Sequence, residues 1–301
     1  MSGADGKLIV WLGQAGDGNA ALGGKGASLD RLARLGFRVP PGFCLTTAAF
    51  RAQAQLAAGA DVARAQAAGA AGITEAERIA AEPFAAEVER ALADAVGRLL
   101  AELTSAHAFE PRFAVRSSAI GEDGSAASYA GLHETELDVA PEAVAGAVRR
   151  CWASLWSPAA VAYRRRRDLA ADGAEMAVVV QALVPADAAA VAFTRHPVTG
   201  RDDQLVITAV RGLGDAMVAG TVTPDTYVVD RASREVMTFE PGEDPRGRAL
   251  EPEALRALVA LCLDVEAHFG QPVDIEAAIV GDAWYLLQAR PITTGAPVAP
   301  R

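Results

Sequence analysis

Apolar and polar positions alternate at two different periods along this chain, and the change of period divides it into a helix-rich first part and a strand-rich second part. Leu29, Leu32 and Leu35 recur at helical spacing behind Gly23-Gly24-Lys25-Gly26, and Gly36 is a natural stop, so a helix is predicted over Ala27 to Leu35. The turn Val39-Pro40-Pro41-Gly42 leads to a short strand, Phe43-Cys44-Leu45, and Thr46 or Thr47 can cap a second helix through Gln55. Residues 57–72 are rich in Ala and Gly and weakly patterned, whereas Thr74 to Leu103 is helical in period, with a capping box at Thr74 and Glu77 and a break at Pro83. Arg112 to Arg116 reads as a strand running into Ser117-Ser118, followed by a loop of small residues over 120–131. Two more helices are predicted, Glu142 to Leu155 and Ala159 to Ala170, with Pro158 between them.

After Gly173 the pattern changes. Strands are predicted at Met176 to Val184, Ala189 to Thr194, Gln204 to Val210 and Thr226 to Val229. A helix over Pro252 to Phe269 precedes a hairpin, Val273 to Val280 and Trp284 to Gln288, joined at Gly281-Asp282. No internal repeat is visible. The Pro/Ala-rich tail, Thr293 to Arg301, reads as a disordered or linker segment.

With 301 residues, 51% hydrophobic, the chain can build a sizeable core, and two lobes fit its length. A formal net charge of −10 argues against nucleic-acid or anionic-membrane partners, so any polyanion must be met by locally gathered cations and backbone amides. Cys44, Cys151 and Cys262 are widely spaced and form neither a disulfide framework nor a C-x-x-C site, which predicts a reduced, cytoplasmic protein. No signal peptide or stretch of transmembrane length is apparent.

Several segments have the composition of a phosphate or metal site, and each also has a plain structural reading. Lys25 among glycines at a helix start can approach an anion, or it can be a solvated lysine in a glycine turn; a Walker A loop is absent. Arg116 with the hydroxyls of Ser117 and Ser118 can fork phosphate oxygens, or make a strand-end salt bridge. Backbone groups at the end of a strand, Gln181 to Val184, can bond an adenine edge with Leu183 and Val184 on the ring, although a core strand accounts for the same residues. The Thr194 hydroxyl can touch a nucleotide, while His196 beside Pro197 reads as a turn residue. Asp274 and Glu276 share one face of a strand, and the hairpin can bring Glu276 near Gln288; a carboxylate and an amide oxygen suit Mg²⁺. Arg290, on the same face, can stabilise charge in phosphoryl transfer, or pair with a glutamate on a polar hairpin face.

Taken in order, these segments resemble the N-terminal ATP-grasp domain of the phosphoenolpyruvate synthase, pyruvate phosphate dikinase and rifampicin phosphotransferase family. The resemblance runs from about Gly23 to Thr293 and rests on G-G-K-G-A-S-L, V-P-P-G-F, V-R-S-S-A, S-Y-A-G, V-V-Q, F-T-R-H-P-V-T-G, G-L-G-D, V-T-P-D, D-I-E and L-Q-A-R-P-I. It implies an α+β, two-lobed ATP-grasp fold with ATP and Mg²⁺ in the cleft between lobes, drawn here as residues 1–175 and 176–292. It further implies Lys25 and Arg116 as phosphate-binding cations, Gln181, Leu183 and Val184 on the adenine side, Glu276 and Gln288 as Mg²⁺ ligands, and Arg290 as the catalytic arginine; Thr194 and Asp274 also sit in family motifs. The chain departs from the pattern at Ala190, where glycine is common, at Asp215, where glutamate is usual, and at Ala277, where tryptophan is common.

None of the four histidines, His107, His133, His196 and His268, lies in the Thr-Ser-His motif of the family's phosphohistidine domain. The implied activity is therefore an ATP-dependent phosphotransferase component that passes a phosphoryl or pyrophosphoryl group to a histidine on a separate domain or partner, leaving AMP and phosphate over the cycle. A stand-alone small-molecule kinase or ligase and a non-catalytic ATP-binding module are the alternatives.

Overall fold

The computed structural model describes residues 6–16, 19–56, 83–106, 111–120, 135–166, 175–218 and 220–292. The capping box at Thr74 and Glu77, the small-residue loop beyond Ile120 and the tail after Ile292 lie outside them. The chain forms two compact units, one of Met1–Leu35 with Pro41–Leu183, the other of Gly36–Pro40 with Val184–Arg301.

The first unit has five antiparallel strands in the order β1-β2-β5-β3-β4: β1 Ile9–Trp11, β2 Gly42–Leu45, β3 Phe113–Ala119, β4 Thr135–Val139 and β5 Met176–Ala182. Phe43, Leu45, Phe113, Val115, Met176, Val178 and Val180 alternate onto one face and form a core with helices α3 (Ala86–Ala106) and α4 (Val144–Ala153). Trp152 of α4 is fully buried and donates its indole N–H to the Met176 carbonyl at 3.1 Å, so its one polar atom is satisfied inside the core. Helix α1, Gly23–Arg34, packs against β3 and β5. Residues 47–56 form α2, capped as expected by Thr46, whose hydroxyl accepts from the Ala48 amide at 3.2 Å. Helix α5, Pro158–Arg166, starts on Pro158 itself, where the pattern predicts a break between helices; proline is at home in a first helical turn.

The expected lobe boundary after residue 175 falls instead after Leu183. The reason is that β5 is the central strand of the first sheet, paired to β2 on one side and β3 on the other.

The second unit has six antiparallel strands in the order β11-β10-β6-β7-β8-β9: β6 Ala188–Phe193, β7 Gln204–Arg211, β8 Asp225–Asp230, β9 Val236–Glu240, β10 Val273–Val280 and β11 Ala283–Pro291. Between β7 and β8 lies a single-turn helix, α6, Asp215–Val218. Helix α7, Pro252–Phe269, begins with proline in its first turn and stops at Gly270, whose φ of 70° suits glycine. Its Leu255, Leu258, Val259, Cys262 and Val265 are buried against the sheet, and Trp284 of β11 donates to the Ala254 carbonyl at 3.1 Å. Each such fully buried Leu or Val contributes about 2 kcal/mol. That helix covers the face bearing Val273, Ile275, Ala277 and Ile279 and leaves the other face to Glu276 and its neighbours.

Candidate functional site

In the first unit the site is built where α1 meets the sheet. Strand β3 continues to Ala119 rather than ending at Arg116, so its side chains keep alternating. Arg116 and Ser118 fall on the α1 side, whereas Ser117 turns to the helical core opposite Val178, away from any shared site with Arg116. Arg116 is 9% exposed. The Ser118 hydroxyl accepts from the Gly26 amide at 2.9 Å and donates to the Leu22 carbonyl at 2.7 Å.

The glycines flanking Lys25 are demanded by this packing. A Cβ on Gly23 would stand 2.0 Å from the Ser118 carbonyl oxygen, and one on Gly26 would stand 3.1 Å from the Cys44 sulfur. Only a bare backbone lets the helix start lie this close to β3 and β2. Lys25 is half-buried between the two pinned positions. Burial pushes the Cys44 thiol up, so it sits behind the turn as a neutral packing group.

Gln181 shares the face of Arg116 and is 2% exposed, beside Gly42. The amides expected to meet an adenine edge are partly committed already. Ala182 donates to the Pro41 carbonyl at 2.9 Å and Leu183 to that of Arg112 at 2.8 Å, because β5 is central and not an edge. Leu183 is half-buried, Val184 buried, and the division between units falls between them.

In the second unit the last two strands carry the polar set. Glu276 stands directly across from Gln288, and Asp274 from Arg290, so all four share the face that α7 does not cover. Gln288 is 4% exposed and Asp274 8%, while Glu276 and Arg290 are half-buried. Arg290 holds Asp274 with two nitrogens on Oδ2, Nε at 2.9 Å and Nη2 at 2.8 Å. The arginine on this hairpin face thus has an aspartate, Asp274, as an ion-pair partner. Burial pushes the Asp274 carboxyl above its ordinary value, while Arg290 pulls it back.

Thr194 lies elsewhere. It is fully buried, its Oγ1 accepts from the Val273 amide at 2.9 Å, and its carbonyl accepts from Arg231 at 3.0 Å, so the hydroxyl helps to start β10. His196 is a turn residue, as read: its Nδ1 accepts from the amides of Val198 and Thr199 at 3.2 and 3.3 Å.

Two carboxylates serve the structure, Asp30, which the sequence reading passes over, and Asp225 of the V-T-P-D segment. Asp30, 1% exposed on α1, accepts from the amides of Gly13 and Ala15 at 2.8 and 3.0 Å and fixes the loop beside the helix. Asp225 accepts from the amides of Gly242 and Ala249, both at 2.7 Å, and from the Tyr227 hydroxyl at 3.1 Å, which together with burial pushes that phenol up to about 12. A carboxylate inside an apolar stripe, as at Leu29-Asp30-Arg31-Leu32, is the signal that points to Asp30.

Glu276 and Gln288 offer two hard oxygen donors on neighbouring strands. That fits Mg²⁺, which keeps several waters and takes phosphate oxygens instead of a full protein cage. Among the described residues there is no group of three or more His, Cys, Asp or Glu that could hold a metal ion. No helix among them is long and apolar enough to cross a membrane.

Residues 19–298 match the family model described as the pyruvate phosphate dikinase AMP/ATP-binding domain. A rifampicin phosphotransferase from Streptomyces sviceus is 36% identical over 310 residues, covering 93% of this chain and 35% of its own length. A probable phosphoenolpyruvate synthase from Archaeoglobus fulgidus is 36% identical over 329 residues, covering 95% of this chain and 42% of its own. The prodigiosin synthesizing transferase of Serratia marcescens is 36% identical over 297 residues, covering 91% and 32%. The chain thus spans well under half the length of these relatives. With the family model matched over nearly its whole length, the chain belongs to the pyruvate phosphate dikinase AMP/ATP-binding domain family.

Proposed function

We propose that this chain binds Mg·ATP and passes a phosphoryl or pyrophosphoryl group from it to a histidine on a separate domain or partner protein, with AMP and phosphate left over the cycle. The observation that carries the reading is the register of the last hairpin, Glu276 across from Gln288 and Asp274 across from Arg290. A carboxylate, an amide oxygen and a guanidinium on one open sheet face are what a metal-bound polyphosphate requires. Lys25 and Arg116 supply the phosphate-binding charge of the first unit, with Gln181, Leu183 and Val184 on the base side. Mg²⁺, once bound through Glu276 and Gln288, would neutralise the phosphate oxygens. Lys25, Arg116 and Arg290 would hold the moving charge in line, which is most of what phosphoryl transfer asks of a protein.

The relatives named phosphoenolpyruvate synthase and rifampicin phosphotransferase support an ATP-dependent transferase component. The test is incubation with Mg·ATP alone, with a phosphohistidine-domain protein, and with small-molecule acceptors, followed by nucleotide separation. AMP and phosphate formed only with the histidine protein, and an acid-labile phosphoprotein, are expected. ADP with a phosphorylated small molecule would favour a stand-alone kinase, and binding without turnover under every condition would favour a binding module.

A further inference from the structure

Lys25 and Arg116 come from segments some ninety residues apart, and one buried side chain ties those segments together. Ser118 is fully buried and lies two residues beyond Arg116 on the same face of β3. Its hydroxyl uses both of its roles on the turn that carries Lys25, accepting from Gly26 on one side and donating to Leu22 on the other. The backbone is drawn equally close, since a Cβ on Gly23 would overlap the Ser118 carbonyl. Ser117, its neighbour, is as deeply buried but faces the helical core, and its hydroxyl has no hydrogen-bond partner among the described residues. Of two adjacent serines of equal burial, only Ser118 faces α1 and clamps it.

We propose that Ser118 is a positioning residue that fixes the distance between the Lys25 turn and Arg116, so that both cations address one triphosphate. The proposal rests on the nucleotide reading above and adds what sets its geometry. A backbone amide and a carbonyl anchored to one hydroxyl allow the helix start neither to slide along β3 nor to lift from it. Both freedoms would place Lys25 out of reach of the phosphates that Arg116 holds. Adenosine, which lacks phosphates, should be indifferent to the clamp.

The test compares Ser118→Ala with Ser117→Ala in the full chain, measuring affinity for Mg·ATP and for adenosine by calorimetry and ligand-observed NMR. Ser118→Ala is expected to weaken Mg·ATP about tenfold, the size of two modest hydrogen bonds lost together, with adenosine affinity unchanged; Ser117→Ala should alter neither. Ser118→Cys, which keeps the packing but weakens both bonds, should fall between, and serves if the alanine variant fails to fold. Equal Mg·ATP affinity in wild type and the Ser118 variants would overturn the clamp, as would parallel loss of adenosine and Mg·ATP. A wild-type chain that binds no Mg·ATP would instead overturn the nucleotide reading, and the clamp with it.

Discussion

Arg290 reaches Asp274 with two guanidinium nitrogens on a sheet face where the aspartate is 8% exposed. It therefore serves the fold as well as any chemistry, and a single substitution would mix the two effects. Arg290→Ala leaves a buried carboxylate without its cation. The cost should be about 2 kcal/mol, below the ~3–5 kcal/mol of fully buried pairs, since the arginine side chain is 28% exposed. It should also lower turnover by a factor on the order of 10²–10³, the usual loss for one donor aimed at developing charge. The double variant Asp274→Asn/Arg290→Met removes the orphaned charge. Urea melts should then return close to wild type while turnover stays lost. Recovered turnover in the double variant would assign the arginine to the fold alone. At this scale the candidate cations and metal donors stand out in the sequence, because glycine, arginine and carboxylate spacing carries chemistry directly, and their roles belong to the proposed function. The side taken by Ser117 is not legible there, because a run of small polar residues hides where a strand ends: β3 runs three residues past Arg116, to Ala119, and alternation turns Ser117 to the helical core.

Whole elements were legible where their signals are strong. Helix α7 matches the predicted Pro252 to Phe269, since a proline start, an apolar stripe and a glycine stop all agree. Strands β1, β4 and β9 were missed. β1 has three residues, and β4 and β9 are sheet edges whose half-exposed, mixed residues lack clean alternation. The last hairpin holds a subtler case. Its two-residue turn pairs Val280 with Ala283, and regular counting from there sets Leu287, not Gln288, opposite Glu276. The observed register shifts by one between Glu276 and Ala277, so Leu287 is the extra residue of a bulge. That bulge turns Gln288 and Arg290 onto the open face; without the extra residue counted, both would point under α7. Deleting Leu287 should thus regularise the ladder while keeping Glu276 across from Gln288. It should cost roughly 1–2 kcal/mol and preserve Mg·ATP binding within a few-fold. Deleting Ala289 instead carries Arg290 to the face beneath α7. Charge burial there should cost more than ~3 kcal/mol and leave a chain without a cooperative melt. A Leu287 deletion that loses magnesium-dependent binding would show that the bulge itself shapes the site.

At the scale of the molecule, the chain leaves the first unit after Leu35, returns at Pro41 and leaves again after Leu183. The short excursion is structurally committed. Arg38 accepts from the Leu286 amide at 2.9 Å and lies over the Tyr285 ring, and Phe37 meets His268 edge-on. Composition and period mark a change near residue 175, but no local signal reveals that β5 is the central strand of the first sheet or that five residues after α1 belong to the second unit. Those facts depend on pairings between distant segments. The proposed function draws on residues of each unit, Lys25 and Arg116 of one, Glu276, Gln288 and Arg290 of the other. A ligand stabilises any folded unit it binds by mass action, about 2.7 kcal/mol at a hundredfold excess over Kd. Hydrogen exchange during a Mg·ATP titration should show amides of 23–26 and of 274–290 gaining protection together, with one midpoint. ATP with a chelator should protect the hairpin far less, because Glu276 and Gln288 meet the phosphates through the metal. Two different midpoints, or protection confined to one unit at saturation, would mean that the cations and the metal donors do not serve the same triphosphate.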